Sequence, residues 1–416
     1  MAKSKKRICL VTNWYPTKEN PYAGSFFKEQ AFAIAEEFDF TVVHCSDCSK
    51  IKSPRYWLNG LLGKTLQVAK TNEEGNTVEY AVDFQVPWYA LLEQRLYALK
   101  RDTVRKDSPR YLKSKRTLLE KAFRTHFSDA FDLVYCVSAQ KEGSTAQYIA
   151  NALDLPYVVA EHSPFPWPGS ALHSAEKEAI KGADTFLAIS YDKIRQVMMQ
   201  DIEFKNCAYV GNMVNEEQFV LGNGSSGEKT FVMVAAHTFY KNYPLFIKIF
   251  NRLTQITDVP FKVMVVGYNA NKGYSQNAEE LEQKLGASLF ADKVELIPAV
   301  SRDQIHTVYG RADAFVMTSV QEGMPVSALE AGCCGLPIFS TMCGGVEDFV
   351  DDSIGRIYKI VDSESFAQGL KAYLEGDITF DRNHIRQKIV GQFGRKAFTD
   401  NMVSVFRDAI RRHEAE

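Results

Sequence analysis

The sequence predicts an α/β protein made of two domains, each a doubly wound, mostly parallel sheet. At 416 residues the chain exceeds what one hydrophobic core usually organises. Short apolar strands alternate with helical patterns in both halves, as in parallel sheets covered on both faces. A Gly/Ser/Asn cluster at 221–229 is typical of a boundary segment between domains. We therefore predict domains at 1–213 and 214–395, followed by a last helix at about 396–416.

The composition is that of an ordinary soluble globular protein, with 45% hydrophobic and 24% charged residues. A formal net charge of −2 argues against a dedicated nucleic-acid binder. Apolar runs stay well below the roughly 18 residues of a membrane span. The run Ile8–Val11 after the basic N-terminus is too short for a signal peptide, so we expect a cytosolic protein.

Eight cysteines are scattered along the chain, and among them Cys45 and Cys48 form a CxxC pair. Neither a second pair nor a histidine cluster lies near this pair in sequence. We therefore predict no metal site.

The stretch Ser319–Gly332 has the pattern of a phosphate-binding turn. It follows an apolar strand, Gly323 frees the loop, and Pro325 suits a first helical turn because its missing N–H would be unpaired there. Free amides at a helix start, with the helix dipole behind them, form a ready phosphate site. Glu322 and Glu330 flank these amides, so a diphosphate with hydroxyl-bearing groups at both ends would fit. The alternative is a buried strand–helix turn with two solvated glutamates.

Other candidate residues follow predicted strands of the first domain, where doubly wound folds collect their ligands. Gly24 lies in the loop after the first strand, and either lets the backbone approach a ligand or makes a plain helix-entry turn. That loop has no GxGxxG, so a dinucleotide site is not predicted. His162 follows the strand Tyr157–Ala160, which favours a ligand-binding or catalytic role, although a structural role is the commoner one for a single histidine.

In the second domain, strands are predicted at 231–236, 261–266, 294–297, 314–317 and 336–339. Lys241 lies at the turn after the first of these strands and is suited to a phosphate oxygen, although an exposed loop lysine is the default. Gly344 and Gly345 follow the last strand and precede a predicted helix at Val346. This glycine pair could also let backbone approach a ligand.

Residues 50–128 are less regular in pattern and basic in one part. The segment 95–124 has eleven basic and three acidic residues, and aromatic and aliphatic residues at 87–97 lie beside it. Such a stretch at 87–124 can lie on an anionic bilayer as a peripheral contact. The alternative is a solvated helical face, which is what charge runs usually are.

These features together resemble the family-4 glycosyltransferases of GT-B fold, in which two Rossmann-like domains face each other across a cleft. The resemblance is densest from 231 to 358. Its motifs, in the order and spacing of that family, are Asp313–Ser319, Glu322-x7-Glu330, Ala331–Pro337 and Gly344–Glu347. Near the N-terminus, Tyr15–Pro16 and Asn20–Gly24 are similar to bacterial polysaccharide-assembly members.

The resemblance implies a nucleotide-sugar donor, more often a UDP-sugar than a GDP-sugar, as substrate and no further cofactor. Glu322 would hold hydroxyls of the transferred sugar, Lys241 would neutralise the departing diphosphate, and Glu330 would hold the ribose. Gly24 would let the N-terminal loop approach the same phosphates. Backbone of the loop would contact the sugar, and the helix amides the diphosphate; these residues are Gly323, Met324, Pro325 and Val326, then Ser327, Ala328 and Leu329.

The resemblance also implies transfer with retention of configuration to a glycan or a polyisoprenyl-diphosphate-linked acceptor, as in the synthesis of capsule, O-antigen or exopolysaccharide. No convincing DxD is present, so metal independence is expected. The last helix would pack back on the acceptor-binding N-terminal domain. Such an enzyme would be cytoplasmic, with a peripheral contact on the inner face of the cell membrane.

Two departures from the family pattern concern the site. Where the family often has a Gly-Arg pair, this chain has Ala235–Ala236 with His237 beside it, so one diphosphate donor is missing or is supplied by His237. A histidine that the family often carries is absent from Tyr135–Val137, whereas His162 resembles a second one and is the acceptor-side candidate.

Two other functions stay open at this point. A nucleotide-sugar epimerase could use the same scaffold, but it needs no acceptor and releases an isomer of the donor. A non-catalytic scaffold subunit would explain the missing arginine and histidine, although both glutamates and Lys241 are present.

Overall fold

The computed structural model describes residues 5–12, 14–16, 24–50, 52–99, 107–127, 130–162, 172–269 and 275–416. The chain forms two compact units. The first comprises Met1–Ile189, Lys193–Val210 and Thr399–Glu416, and the second comprises Ser190–Asp192 and Gly211–Phe398.

The first unit is built on an eight-stranded sheet with the order β3-β4-β2-β1-β5-β6-β7-β8. Neighbouring strands run parallel except β3 and β4, which are antiparallel. The strands are β1 (Arg7–Val11), β2 (Asp39–Asp47), β3 (Leu66–Glu74), β4 (Thr77–Phe84), β5 (Leu133–Cys136), β6 (Tyr157–Ala160), β7 (Thr185–Ala188) and β8 (Cys207–Tyr209). The helices up to β8 are α1 (Ser25–Ile34), α2 (Pro54–Leu61), α3 (Trp88–Leu99), α4 (Pro109–His126), α5 (Ser144–Leu153), α6 (Ser174–Lys181) and α7 (Tyr191–Met198).

The second unit is built on a six-stranded, all-parallel sheet with the order β11-β10-β9-β12-β13-β14. Its strands are β9 (Lys229–Val234), β10 (Phe261–Val266), β11 (Val294–Ile297), β12 (Ala314–Met317), β13 (Ile338–Thr341) and β14 (Gly355–Tyr358). Its helices are α8 (Tyr243–Ile256), α9 (Ser275–Gly286), α10 (Ile305–Gly310), α11 (Val326–Cys333), α12 (Ser363–Glu375) and α13 (Arg382–Phe393). The predicted α/β class with two doubly wound sheets is confirmed.

Several local predictions differ from the structure. The region 50–128 contains a regular hairpin of β3 and β4, closed by the two-residue turn Gly75–Asn76 with Gly75 at φ +56°. Gly-Asn is a known hairpin signal that the sequence analysis missed, because β3 is polar and largely exposed and so lacks a clear alternation. The short edge strand β14 was also missed. Val346–Asp348 forms a single 3₁₀ turn instead of the predicted helix.

The last helix, α14 (Arg395–Ala415), packs from Thr399 onwards within the first unit. Phe406 is fully buried, and its ring centroid lies 5.8 Å from that of Phe38 and 5.3 Å from that of Tyr135. Arg412 also donates to the carboxylate of Asp184 at 2.6 Å. These contacts join the end of the chain to the rest of the first unit.

None of the helices within the described ranges is both long enough and apolar enough to cross a membrane.

We predict that Phe406→Ala lowers the free energy of unfolding by about 3–5 kcal/mol, because it leaves a cavity between α14 and the first sheet. Ser404→Ala, on the exposed side of the same helix, should change it by less than about 0.5 kcal/mol. Urea unfolding followed by circular dichroism measures both. Equal stability of the two variants would show that α14 does not depend on this packing.

Candidate active site

Lys241 and Glu322 form an ion pair at the carboxyl edge of the second sheet. Lys241 ends a 3₁₀ turn, Phe239–Lys241, that follows β9, and Glu322 lies in the loop between β12 and α11. Lys241 Nζ donates to Glu322 Oε1 at 2.6 Å, and Ser319 Oγ donates to the same oxygen at 2.6 Å. Glu322 Oε2 accepts no hydrogen bond from the described residues, so it remains available to a hydroxyl group.

Hydrogen bonds to the backbone fix both partners of this pair. The Thr318 hydroxyl donates to the Lys241 carbonyl at 2.9 Å, and the Val320 N–H donates to the Tyr240 carbonyl at 2.7 Å. The Glu322 N–H donates to the Cys343 carbonyl at 2.6 Å. The two loops are therefore held together by main chain as well as by charge.

The pair is mostly buried, with the Lys241 and Glu322 side chains 20% and 11% exposed. Burial alone would lower the pKa of Lys241, but the charge of Glu322 and its hydrogen bond outweigh burial and raise that pKa. Lys241 therefore carries its positive charge throughout the neutral pH range.

The first turn of α11 leaves some amides free and uses others. Pro325 caps the helix, and its carbonyl accepts hydrogen bonds from the N–H groups of Ala328 at 3.1 Å and Leu329 at 3.3 Å. The N–H groups of Val326 and Ser327 donate to no acceptor in the described part of the chain. The structure thus differs from the prediction that Ser327, Ala328 and Leu329 would together bind a diphosphate, because only Ser327 of these has a free amide.

Glu330 is held by two residues that the sequence analysis did not single out. Arg302, in the loop after β11, pairs with Glu330 Oε1, and the Tyr309 hydroxyl lies 3.0 Å from Oε2. The Arg302 guanidinium also lies 5.2 Å from the centroid of the Phe219 ring. Burial and the charge of Glu330 raise the pKa of Tyr309, so its hydroxyl stays protonated and can donate. The one sequence signal for Arg302 is its place just after a strand.

The glycine pair after β13 packs against the Glu322 loop. Gly344 and Gly345 have φ of +88° and +70°. A Cβ on Gly344 would lie 3.0 Å from the Glu322 carbonyl oxygen, and one on Gly345 would lie 2.4 Å from the Gly323 carbonyl oxygen and 2.8 Å from Met324 Cα. These glycines therefore serve close backbone packing behind the loop, in addition to any ligand contact.

His237, the proposed replacement for the missing arginine, follows β9. Its N–H donates to the Tyr268 carbonyl at 3.0 Å, and its ring packs edge-on against Tyr243 with centroids 5.1 Å apart. Its role towards a diphosphate stays a prediction.

Gly24 and His162 lie in the first unit. Gly24 has φ +64°, and a Cβ there would lie 2.3 Å from the Trp14 carbonyl oxygen, so the fold itself requires glycine. The His162 ring packs edge-on against Phe27 with centroids 4.6 Å apart. The predicted loop residues 17–23 lie outside the described residues.

In the described part of the chain, no three or more His, Cys, Asp or Glu residues are grouped so that they could hold a metal ion.

Comparison with known proteins finds a family model that matches part of the chain. Residues 215–391 match the family model described as Glycosyl transferases group 1. A D-inositol 3-phosphate glycosyltransferase of Saccharomonospora viridis is 26% identical over 152 residues, which span 36% of this chain and 35% of that relative. The lipopolysaccharide 1,6-galactosyltransferase of Escherichia coli K12 is 23% identical over 289 residues, 68% of this chain and 75% of that protein.

A solved Anabaena HepE structure in complex with UDP covers 97% of this chain at 12% identity with a TM-score of 0.67, aligning over 100% of its own length. This likeness concerns the fold. The chain therefore has the GT-B fold of two Rossmann-like domains, and its residues 215–391 match Glycosyl transferases group 1.

Proposed function

We propose that this protein is a glycosyltransferase of family-4 type that moves a sugar from a nucleoside-diphosphate sugar to a saccharide acceptor. The observation that carries the proposal is the Lys241–Glu322 pair beside the free amides of Val326 and Ser327. A sugar diphosphate can be bound by such a set of groups. The cation and the two helix-start amides suit its phosphates, and the carboxylate with one unoccupied oxygen suits its sugar hydroxyls. The family match over the same residues and the UDP-bound structural neighbour support this choice, and favour UDP over GDP.

Each group has a role in the proposed reaction. The free amides bind the diphosphate, and Lys241 neutralises the charge that grows on it as the bond to the sugar breaks. Glu322 Oε2 accepts from sugar hydroxyls, which orients the reacting carbon. Glu330, fixed by Arg302 and Tyr309, accepts from the ribose hydroxyls. Fixed charges of this kind need no reorganisation during the reaction, which is the usual source of a large rate effect.

The finer features of the reaction are part of the same proposal. Transfer retains configuration at the sugar carbon, with the leaving diphosphate assisting deprotonation of the acceptor, and proceeds without a metal ion. The acceptor is a glycan or a lipid-linked saccharide of surface polysaccharide synthesis, with His162 as acceptor-side candidate. A lipopolysaccharide galactosyltransferase among the relatives is consistent with such an acceptor.

We propose further that the protein acts in the cytoplasm as a peripheral protein at the inner face of the membrane. The surface for this contact lies on α4, whose buried face packs through Leu119, Ala122 and Phe123. Four of its basic residues are exposed, namely Arg110, Lys113, Lys121 and Arg124. The part of the predicted basic segment at 100–106 lies outside the described residues. Anionic lipid attracts such a surface by about 1 kcal/mol per basic residue.

We expect Lys241→Met to lower kcat for sugar transfer by about 100-fold or more, because the departing diphosphate loses its cation. Glu322→Gln should also lower kcat strongly, since the amide cannot hold Lys241 or the hydroxyls in the same way. Release of UDP from a screened UDP-sugar, with product analysis, measures both effects and separates transfer from epimerisation. Glu295→Gln, at an exposed residue of β11, is the control for the charge change of Glu322→Gln. Full activity of both site variants would refute the proposed site.

The raised pKa of Lys241 predicts the pH dependence of donor binding. Because the pKa in the folded protein lies above the value of about 10.4 for a free lysine, the charge contributes fully below that pH and is lost only above it. UDP affinity measured by calorimetry should therefore stay constant from about pH 7.5 to about pH 8.5. A fall in affinity centred below about pH 9 in the wild type but absent in Lys241→Met would contradict this.

Membrane contact is tested by sedimentation with phosphatidylglycerol vesicles. Neutralising four exposed basic residues of α4 (Arg110, Lys113, Lys121 and Arg124, each to Gln) should weaken vesicle binding at least about tenfold. Phosphatidylcholine vesicles serve as the neutral control. Unchanged binding to anionic vesicles would exclude α4 as the contact.

A further inference from the structure

We propose that the first unit binds a single amphiphile, a hydrocarbon chain with a phosphate-bearing headgroup, in two adjoining cavities on either side of α4. One cavity is apolar and takes the chain, and the other is cationic and takes the headgroup. This inference deepens the proposed function, since it rests on a lipid-linked acceptor and says where its lipid part binds.

The apolar cavity is a groove of about 720 Å³ between α2, α3 and α4. Trp57 and Leu61 of α2 and Trp88 and Tyr89 of α3 line it, and these side chains are 48%, 86%, 50% and 49% exposed. In the described part of α2 only Tyr56 is buried, and its hydroxyl ties the helix to the Val86 carbonyl at 2.7 Å. The helix thus presents aromatic and aliphatic groups to solvent, while the Tyr56 hydrogen bond holds the helix in place. Clustered exposure of this kind marks a binding surface.

The cationic cavity is a cleft of about 740 Å³ beyond the carboxyl ends of β2 and β4. Lys113, Lys115 and Arg116 of α4 line it, and none of them forms an ion pair with a described residue. Arg116 Nε is buried without a hydrogen-bond partner, while the guanidinium lies 5.2 Å from the centroid of the Tyr148 ring. A buried guanidinium N–H without an acceptor is costly, and an anionic oxygen would satisfy it.

The acidic residues that line the same cleft, Asp47, Asp107 and Glu176, form no ion pair with these three cations. Asp47 accepts from the Tyr111 hydroxyl at 2.5 Å and from the Ser49 N–H at 2.9 Å. Asp107 accepts from the Gln94 side chain at 3.2 Å. Glu176 accepts from the His173 N–H at 2.8 Å. All three carboxylates thus accept hydrogen bonds from neutral donors, and the side chains of Lys113, Lys115 and Arg116 stay available to an anionic ligand.

The two cavities meet at Lys113 and Thr117, which line both of them. These residues are one helical turn apart and so lie on the same face of α4. A chain in the groove would therefore deliver its headgroup directly to Lys113 and then to the cleft. An apolar groove that adjoins a cationic cleft fits a prenyl-type phosphate or diphosphate, in which a hydrocarbon chain ends in a charged group. It fits a soluble glycan or a lipid-free phosphate less well.

The test uses farnesyl diphosphate as probe, with inorganic diphosphate and farnesol as its separate halves. Titrations are run on the full chain with UDP at saturation, so that the proposed donor site is occupied. We expect farnesyl diphosphate to bind at least about tenfold more tightly than either half, because one molecule fills both cavities. Farnesyl diphosphate that binds no better than inorganic diphosphate would overturn the proposal.

Matched variants assign the two halves of the ligand. Leu61→Asp should weaken farnesyl diphosphate at least about tenfold and leave inorganic diphosphate unchanged, whereas Lys113→Gln with Lys115→Gln should weaken both. Val361→Asp and Lys359→Gln, exposed residues of the second unit, are the controls for a new charge and a lost charge. An unchanged affinity of Leu61→Asp for farnesyl diphosphate would contradict binding of the hydrocarbon chain in the groove.

Two further results separate this inference from the proposed function. Binding of anionic vesicles without affinity for farnesyl diphosphate would leave a general membrane contact and overturn the amphiphile site. A wild-type protein that binds farnesyl diphosphate but no UDP or UDP-sugar would contradict the proposed transferase function and would still support the amphiphile site.

Discussion

The ion pair between Lys241 and Glu322 is the constraint on which the second unit's site depends. The two residues are far apart in sequence but follow β9 and β12, which are neighbours in the parallel sheet. Since carboxyl ends of parallel strands share one edge, the topology delivers a cation and a carboxylate to one point. A largely buried ion pair contributes little net stability because desolvation offsets attraction, while loss of one partner costs about 3–5 kcal/mol. The position of this pair is therefore better explained by a role in ligand binding or catalysis than by a contribution to stability.

Much of this site could be predicted from the sequence, since its parts are local signals. A glutamate, a glycine and a proline between a strand and a helix, and a lysine after another strand, are readable without a structure. The contact of Arg302 and Tyr309 with Glu330 could not be predicted from the sequence, because it depends on how α10 and the loop after β11 pack on α11. The amide pattern was only partly readable. Which N–H groups stay free depends on the Pro325 carbonyl, whose bonds to Ala328 and Leu329 no residue pattern reveals.

In the first unit the sequence was informative about charge and less so about shape. The basic residues of α4 were evident, but Leu61 and Trp57 look like ordinary core residues of an amphipathic helix. Only the structure shows that α2 packs through Tyr56 and leaves its other apolar groups in solvent. The hairpin of β3 and β4 was missed for a related reason, because an exposed edge strand needs no apolar alternation. For Gly24 the sequence suggested a ligand role, and the structure adds a structural role, since a side chain there would collide with the Trp14 backbone.

Hydrogen exchange measured by mass spectrometry tests the proposed donor site most directly. With a saturating UDP-sugar, the peptides that contain the free amides of Val326 and Ser327 should exchange more slowly, as should those around Lys241. Peptides of the exposed hairpin β3–β4 should exchange at an unchanged rate. Saturable UDP binding with no added protection at Val326 and Ser327 would contradict a diphosphate site at the start of α11.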